Sequence, residues 1–347
     1  SWVKGTLTGN IDLQSRLNDV TNFDLNKMKV NGDLAIQNLD LMYCDSTLAQ
    51  ADNMDIRLTA PKSGIRDKAI LSADCKIGVE NVHAELLASA LDAHIDGGTL
   101  NASIELDTKD TTHLPTLTAG FDFKELNAVL DTIKAHAINP KGQVTLTSSK
   151  RNKTTPRMNV RFSSDAMEAS MGEGLAADTR HISIDASATY NKNGENILLK
   201  WNPRLKFDLQ NAHAFVEQLG TPVSVPQIKF SYSNRDFAID TSRIVIGKSD
   251  FSLGGEVKGL GKWIRKEGDL TGVLRFTSEH TDVNELIDIV GRLNTDTAEV
   301  APEVDEEQTD TTEREPFMVP ERVDLQFATH IKSADVFEEH LKNLGGN

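Results

Sequence analysis

The sequence is poor in the features on which most catalytic and many recognition functions rest. Only two cysteines, Cys44 and Cys75, occur in 347 residues, each within a strand-like run. They read as small buried side chains in preference to a disulfide, and they are too few for a disulfide scaffold or a cysteine-bound zinc cluster. Aromatic residues make up 5% of the chain, which argues against a saccharide-cleaving cleft, where two carboxylates work beside stacking rings. Basic residues are outnumbered, 37 Lys and Arg against 52 Asp and Glu, for a formal charge of -15. A nucleic-acid partner is therefore excluded, because phosphate binding needs clustered cations, and the densest basic run, Lys150 to Lys153 with Arg157, reads as a turn between strands. No apolar run approaches the roughly 18 residues of a membrane-spanning helix, and the opening SWVKGTLTGN has neither the charged nor the apolar part of a signal peptide. Any export signal or membrane anchor is expected outside this chain.

Catalytic motifs are missing as well. There is no GxSxG, HExxH, Walker A or EF-hand loop. The glycine clusters Gly172-Glu173-Gly174 and Gly254-Gly255 with Gly259 and Gly261 lack the strand, tight turn and long helix that would aim amides at a phosphate, and read as hairpin or bulge glycines. The nine histidines are scattered, and the closest, His330 and His340, have no ligand-spaced neighbours. Carboxylate pairs such as Glu338 and Glu339 lie on polar faces. These absences predict a protein that is not an enzyme and uses no metal and no cofactor.

What the chain does contain is alternation. Apolar residues recur every second position in Leu34 and Ile36, Met54 to Leu58, Leu71 to Val79, Leu100 to Leu106, Val144 and Leu146, Val160 and Phe162, Ile182 and Ile184, Leu205 to Leu209, Ile228 to Tyr232, Ile244 and Ile246, and Val323 to Phe327. This is the signature of half-buried strands, and 38% hydrophobic residues suffice to give them one buried face. Turn-forming pairs at Gly97-Gly98, Asn193-Gly194 and Gly254-Gly255 predict antiparallel hairpins, and long helical crossovers of the kind parallel sheets need are not evident. Helical spacing appears only over 124–136 (Leu126, Val129, Leu130, Ile133) and 282–293 (Val283, Leu286, Ile287, Val290), and more weakly over 211–219 and 334–344.

The strands also repeat. GTLTGNIDLQSRLNDV at 5–20 superposes without gaps on GDLTGVLRFTSEHTDV at 268–283, with a looser copy at 98–110. Each unit is a glycine-started strand, a polar loop and a short turn or helix, at irregular spacing. The fold expected is mainly β: an elongated antiparallel sheet of irregular strand repeats with a few short helices, which either folds on itself as a sandwich or barrel or curls into an open groove. Its body covers 1–294. An acidic, Thr-rich segment at 295–318 reads as a disordered loop, and 319–347 continues the body. The single apolar face must be covered by a second sheet, by helices or by an apolar ligand, and the helices are too few. General physics favours closure, since large exposed apolar patches are rare.

At this point the repeats resemble the AsmA-like family of Gram-negative envelope proteins. The resemblance is carried by GDLTGVLRFTSEHTDVNELIDIVG at 268–291, the preceding DTSRIVIGKSDFSLGGEVKGL at 240–260, and VPERVDLQFATHIKSADVF at 319–337 after the acidic linker. It implies a periplasmic β body held at the inner membrane by an N-terminal helix outside this chain. It also implies a link to outer-membrane assembly, and kinship with bridge-like lipid transfer proteins whose curled sheet offers an apolar trough to lipid tails. The expectation then shifts from a closed sandwich to an open groove that carries phospholipid or another lipid, with Phe121, Phe123, Leu205, Phe207, Leu253, Leu274 and Phe276 as candidate lining residues. The alternative is an envelope module, structural or protein-binding, that carries no lipid.

Overall fold

A computed structural model describes residues 1–21, 27–63, 65, 69–110, 112–149, 153–193, 200–233, 236–296 and 322–346. It is mainly β, as the alternation requires, with helix confined to short segments. The chain divides into two compact units, Ser1–Gly172 with Ala176–Gln210, and Glu173–Leu175 with Asn211–Asn347. Beyond Thr295 and Asp296, which end a helix, the acidic segment 295–318 lies outside the described residues, as do Gly194 of the expected Asn193-Gly194 turn and Lys150 to Asn152 of the basic run.

The first unit begins with five long antiparallel strands, β1 (Trp2–Gln14), β2 (Lys29–Tyr43), β3 (Thr47–Ala60), β4 (Ile70–Leu86) and β5 (Leu91–Asp107), each hydrogen-bonded to the next. Each of the next four strands is broken once near its middle. The halves are β6 (Thr116–Phe123) and β7 (Glu125–Leu130), β8 (Ile133–Ile138) and β9 (Lys141–Ser148), β10 (Pro156–Ser164) and β11 (Ala166–Met171), and β12 (Leu175–Thr179) and β13 (His181–Thr189). Then follows β14 (Pro203–Val216). One end of β5 pairs with β6, which leads through β9, β10 and β13 to β14; the other end pairs with β7, which leads through β8 to β11.

The breaks line up. In the β2–β3 ladder Asn38 and Asp52 drop out of the pairing while the register is kept on either side, and in the β4–β5 ladder Asn81 and Asp96 do the same. The row continues through Lys124, Asn139-Pro140, Asp165 and Arg180, which separate the half-strands. Asn38, Asn81 and Asn139 have φ of 51°, 47° and 51°, the left-handed region that asparagine tolerates best among side chains with a Cβ. Backbone groups freed at the row find partners across it: Lys124 N donates to Gly97 O (2.8 Å), Asn139 N to Lys124 O (2.7 Å), and Asp165 N to Ile138 O (3.1 Å). Side chains join too, Asn81 Nδ2 donating to Asp52 Oδ2 (2.6 Å) and Asn139 Nδ2 to Asp165 Oδ2 (2.9 Å). A break in a ladder lets its strand bend, and here the breaks are matched from strand to strand, so the row is a crease.

The crease also shifts the phase of the sequence pattern. Leu71 to Val79 point to one face at odd numbers; after Asn81 the same face receives Val82, Ala84 and Leu86. Two turn expectations are corrected here. Gly97-Gly98 lies inside β5 at the crease, and Gly254-Gly255 lies inside the strand Ser249–Lys258, so neither makes a hairpin turn. At Gly98 φ is +148° and an added Cβ would stand 2.2 Å from Asp122 O, so the position needs glycine because a neighbouring backbone passes through that space.

Three of the four helical expectations are likewise overturned. Residues 124–136 form the β7–β8 hairpin around Asp131 (φ 54°), residues 211–216 complete β14 before one 3₁₀ turn at Glu217–Leu219, and residues 334–344 form a hairpin at Phe337 (φ 55°). In each, two short alternating runs on either side of a turn or phase slip coincide with helical spacing. Of the four, the one at Val283–Asp296 is a helix, with Ile289 buried.

In the second unit β15 (Val223–Ser233), β16 (Asp236–Ile246), β17 (Ser249–Lys258) and β18 (Leu270–Ser278) are antiparallel neighbours. The two-residue β19 (Thr281–Asp282) leads into the helix. The antiparallel expectation then fails once: β20 (Val323–Val336) runs parallel to β18 and β19 and pairs antiparallel with β21 (Glu339–Gly346). The helix lies between β19 and β20 in the chain, as a parallel neighbour, which cannot be reached by a tight turn, requires. The repeat glycines have one cause in both copies, since a Cβ on Gly9 would meet Asp33 O at 2.3 Å and one on Gly272 would meet Glu256 O at 2.5 Å. Asp282 caps the helix, accepting from Glu285 N at 3.0 Å, and this bond is the main reason its pKa lies below the ordinary 3.8.

Two outcomes follow. Gly98→Ala lowers the urea midpoint by the equivalent of about 2 kcal/mol or more, from backbone strain and steric conflict, whereas Asn139→Gly, which keeps the φ and loses one exposed hydrogen bond, costs about 1 kcal/mol or less. Because the Asp282 carboxylate is stabilised in the folded state, its contribution is complete above pH 4 and lost as pH falls below the unfolded value. Asp282→Asn should therefore flatten the acid limb of stability measured below pH 4, with little further loss at lower pH.

Candidate functional site

The registers assign every strand residue of the first unit to a face. On one side of the crease an apolar row crosses ten strands: Gly9, Leu34, Ile56, Ile77, Leu100, Phe121, Gly142, Phe162, Ile184 and Phe207. At about 4.8 Å per strand it is roughly 43 Å long. The row beside it is Ile11, Gly32, Leu58, Cys75, Ala102, Ala119, Val144, Val160, Ala186 and Leu205. The opposite face is mostly polar, with rows such as Asn10, Asp33, Arg57, Lys76, Asn101, Gly120, Gln143, Arg161, Asp185 and Lys206, and a few apolar residues such as Leu48, Val129 and Ile138.

Across the crease the apolar face continues, because the phase slip keeps it on the same side. There Leu39, Ala51, Val82, Ile95, Leu126, Ala137 and Met167 form one row, and Leu41, Ala49, Ala84, Ala93, Ala128, Ala135 and Ala169 the next. A third row holds Tyr43, Leu86, Leu91, Leu130, Ile133 and Met171.

Exposure is graded across this face. Beside the crease Ala51, Val79, Phe123 and Ala137 are buried at 4–7%. Further out Leu58, Leu100, Ile104, Leu117, Val144, Leu146 and Met158 keep 36–44% exposure, and on the other side Tyr43, Leu86, Leu130, Ile133 and Met171 keep 39–63%. A flat sheet would expose all rows alike and a closed sandwich would bury them alike. The gradient describes an apolar trough in the first unit with its floor at the crease. A cavity of about 410 Å³ opens on it, lined by Leu58, Cys75, Ile104, Leu117, Val144 and Leu146 among others. The closed arrangement that general physics favours is thus not adopted.

Phe121 and Phe123 stack at 5.0 Å on this face, and the Phe121 ring covers Gly142, where a Cβ would meet it at 2.2 Å. Leu205 and Phe207 extend the two long rows on β14. The other three sequence candidates belong to the second unit, where Leu253 opposes Phe276, Leu274 pairs with Gly255 on one side and Phe327 on the other, and Phe276 stacks on Phe251 at 5.7 Å. All seven lie on apolar faces, Phe123 buried and the rest half-buried. The sequence reading missed the rows beyond the crease, whose signal is an asparagine at the point where alternation changes phase.

Cys75 lies in the trough, but Cys44 sits exposed in the β2–β3 turn, which corrects the expectation that both are buried; they are not bonded to each other. On the polar face His83, Glu85 and Asp92 converge, their ligand atoms all within 4.8 Å of one another. The reading of histidine spacing missed this group because it weighed His and Cys neighbours only, whereas here a hairpin brings carboxylates to a histidine.

Comparison with protein families, curated proteins and solved structures gives no match to this chain.

Proposed function

We propose that the chain is a non-enzymatic carrier of lipid, with acyl chains lying in the apolar trough of the first unit and the polar head in water at its rim. The observation that carries this reading is the half-exposed, graded apolar face. Soluble proteins rarely leave such an expanse uncovered, and an acyl chain gains about 0.8 kcal/mol for each buried CH₂. Transfer needs no covalent step. Rows of aliphatic side chains of similar character, without a deep pocket, allow a chain to slide along the sheet. Phospholipid of a bacterial envelope is the cargo in this reading, and the periplasm its site.

Protein binding at a sheet edge is a second reading, favoured by one observation. All thirteen residues of β1 are exposed, and among the described residues its sole ladder is with β2. Such an edge can accept a further strand.

The two readings part in one experiment. Chain purified without detergent is examined by native mass spectrometry after incubation with phosphatidylethanolamine vesicles, and transfer of a fluorescent phospholipid between vesicles is followed. Bound lipid and transfer are expected. Leu117→Asp with Val144→Asp, which put charge on the trough wall, should cut both more than tenfold, since a charge among acyl chains costs about 2.5 kcal/mol or more. Asn101→Asp on the polar face should leave them unchanged. Absence of bound lipid and of transfer in the native chain overturns the lipid reading and leaves the edge.

A further inference from the structure

The hairpin of β4 and β5 carries a short palindrome, His83-x-Glu85 on the way out and Asp92-x-His94 on the way back. Its register places His83 opposite His94 and Glu85 opposite Asp92, so alternation puts all four on the polar face as a square. We propose that this square binds one divalent transition metal ion of zinc's class, through His83, Glu85, Asp92 and His94. This site is independent of the trough, whose Ala84 and Ala93 occupy the other face of the same residue pairs.

Distance supports it first. His83 Nε2 stands 3.1 Å from Asp92 Oδ1 and 3.4 Å from Glu85 Oε1. A tetrahedral ion with bonds of about 2.0–2.2 Å to nitrogen and oxygen holds its ligands roughly 3.3–3.5 Å apart, so these atoms already mark edges of such a shell. The rings of His83 and His94 have centroids 6.5 Å apart, compared with roughly 5 Å for two imidazoles on one tetrahedral ion. His94 is exposed, so its side chain has room to rotate toward the other three groups.

Charge supports it independently. Two carboxylates directly opposite across a ladder repel. Their flanking ladder positions are Leu48 and Gln50 on β3 and Val129 and Asn127 on β7, none of which is a cation. A divalent ion held by the square supplies compensating charge. Two nitrogens and two carboxylate oxygens favour zinc and its transition-metal neighbours over calcium and magnesium, which take oxygen donors. The ion would tie together the two strands at the hairpin end, where Leu87–Ser89 makes the turn.

The test uses the full chain, free of any affinity tag and stripped with a chelator, titrated with zinc alone by calorimetry at neutral pH. One zinc per chain is expected, with micromolar or tighter affinity, a raised melting temperature, and an X-ray absorption spectrum of nitrogen and oxygen neighbours without sulfur. His83→Ala, and the shape-preserving Asp92→Asn, should each weaken binding at least tenfold while retaining the far-ultraviolet dichroism of the native chain. His136→Ala, elsewhere on the polar face, and the pair Cys44→Ser with Cys75→Ser should bind as the native chain does. Failure of the native chain to bind zinc, equal binding by His83→Ala and Asp92→Asn, or sulfur in the coordination shell overturns the proposal.

Discussion

Register across the crease is the constraint on which the first unit depends. A strand that bulges alone can be accommodated by its neighbours, but here Asn38 with Asp52, Asn81 with Asp96, Lys124, Asn139-Pro140, Asp165 and Arg180 all interrupt at one level of the sheet. An extra residue flips the side-chain phase of everything after it. If one strand of the row lacked its interruption, half of its apolar residues would move to the polar face. The interruptions therefore have to be matched from strand to strand. Left-handed asparagines, the backbone bonds from Lys124 N, Asn139 N and Asp165 N, and the pairs Asn81–Asp52 and Asn139–Asp165 are the local means by which they are.

From that row follows the character of the apolar face. Bending concentrates burial beside the crease, where Ala51, Val79, Phe123 and Ala137 are, and leaves the outer rows half open. The polar face meanwhile is stitched by exposed pairs such as Arg57–Asp33 at 2.9 Å and Lys141–Asp122 at 3.2 Å. Pairs of this kind stabilise little, so the hydrogen-bonded ladders and the crease floor carry most of the folding free energy. A sheet with that balance has apolar surface left over for something else to cover, and that surplus is the physical basis of the lipid reading.

The two faces make different demands on the β4–β5 hairpin. Ala84 and Ala93 keep its trough side small and apolar, while His83, Glu85, Asp92 and His94 crowd donors and negative charge on the other side. Alternation lets one hairpin serve both without conflict, since neighbouring residues in a strand never share a face.

Alternation in runs such as Leu71 to Val79 and Leu205 to Leu209 determined by itself that the chain is a sheet with one apolar face, because period two has no other economical structural meaning. The glycine-started repeats were legible for a similar local reason: a backbone passes where Gly9 and Gly272 would carry a Cβ. What the chain order could not convey was anything set by pairing between distant strands. Residues 124–136 satisfy helical spacing as written, and only their ladders to β5 and to each other make them a hairpin; Gly97-Gly98 looks like a turn until β6 and β7 are seen to divide there. The crease, the open trough and the meeting of His83 with Asp92 were decided by tertiary structure, because each depends on register between strands, which sequence separation does not encode.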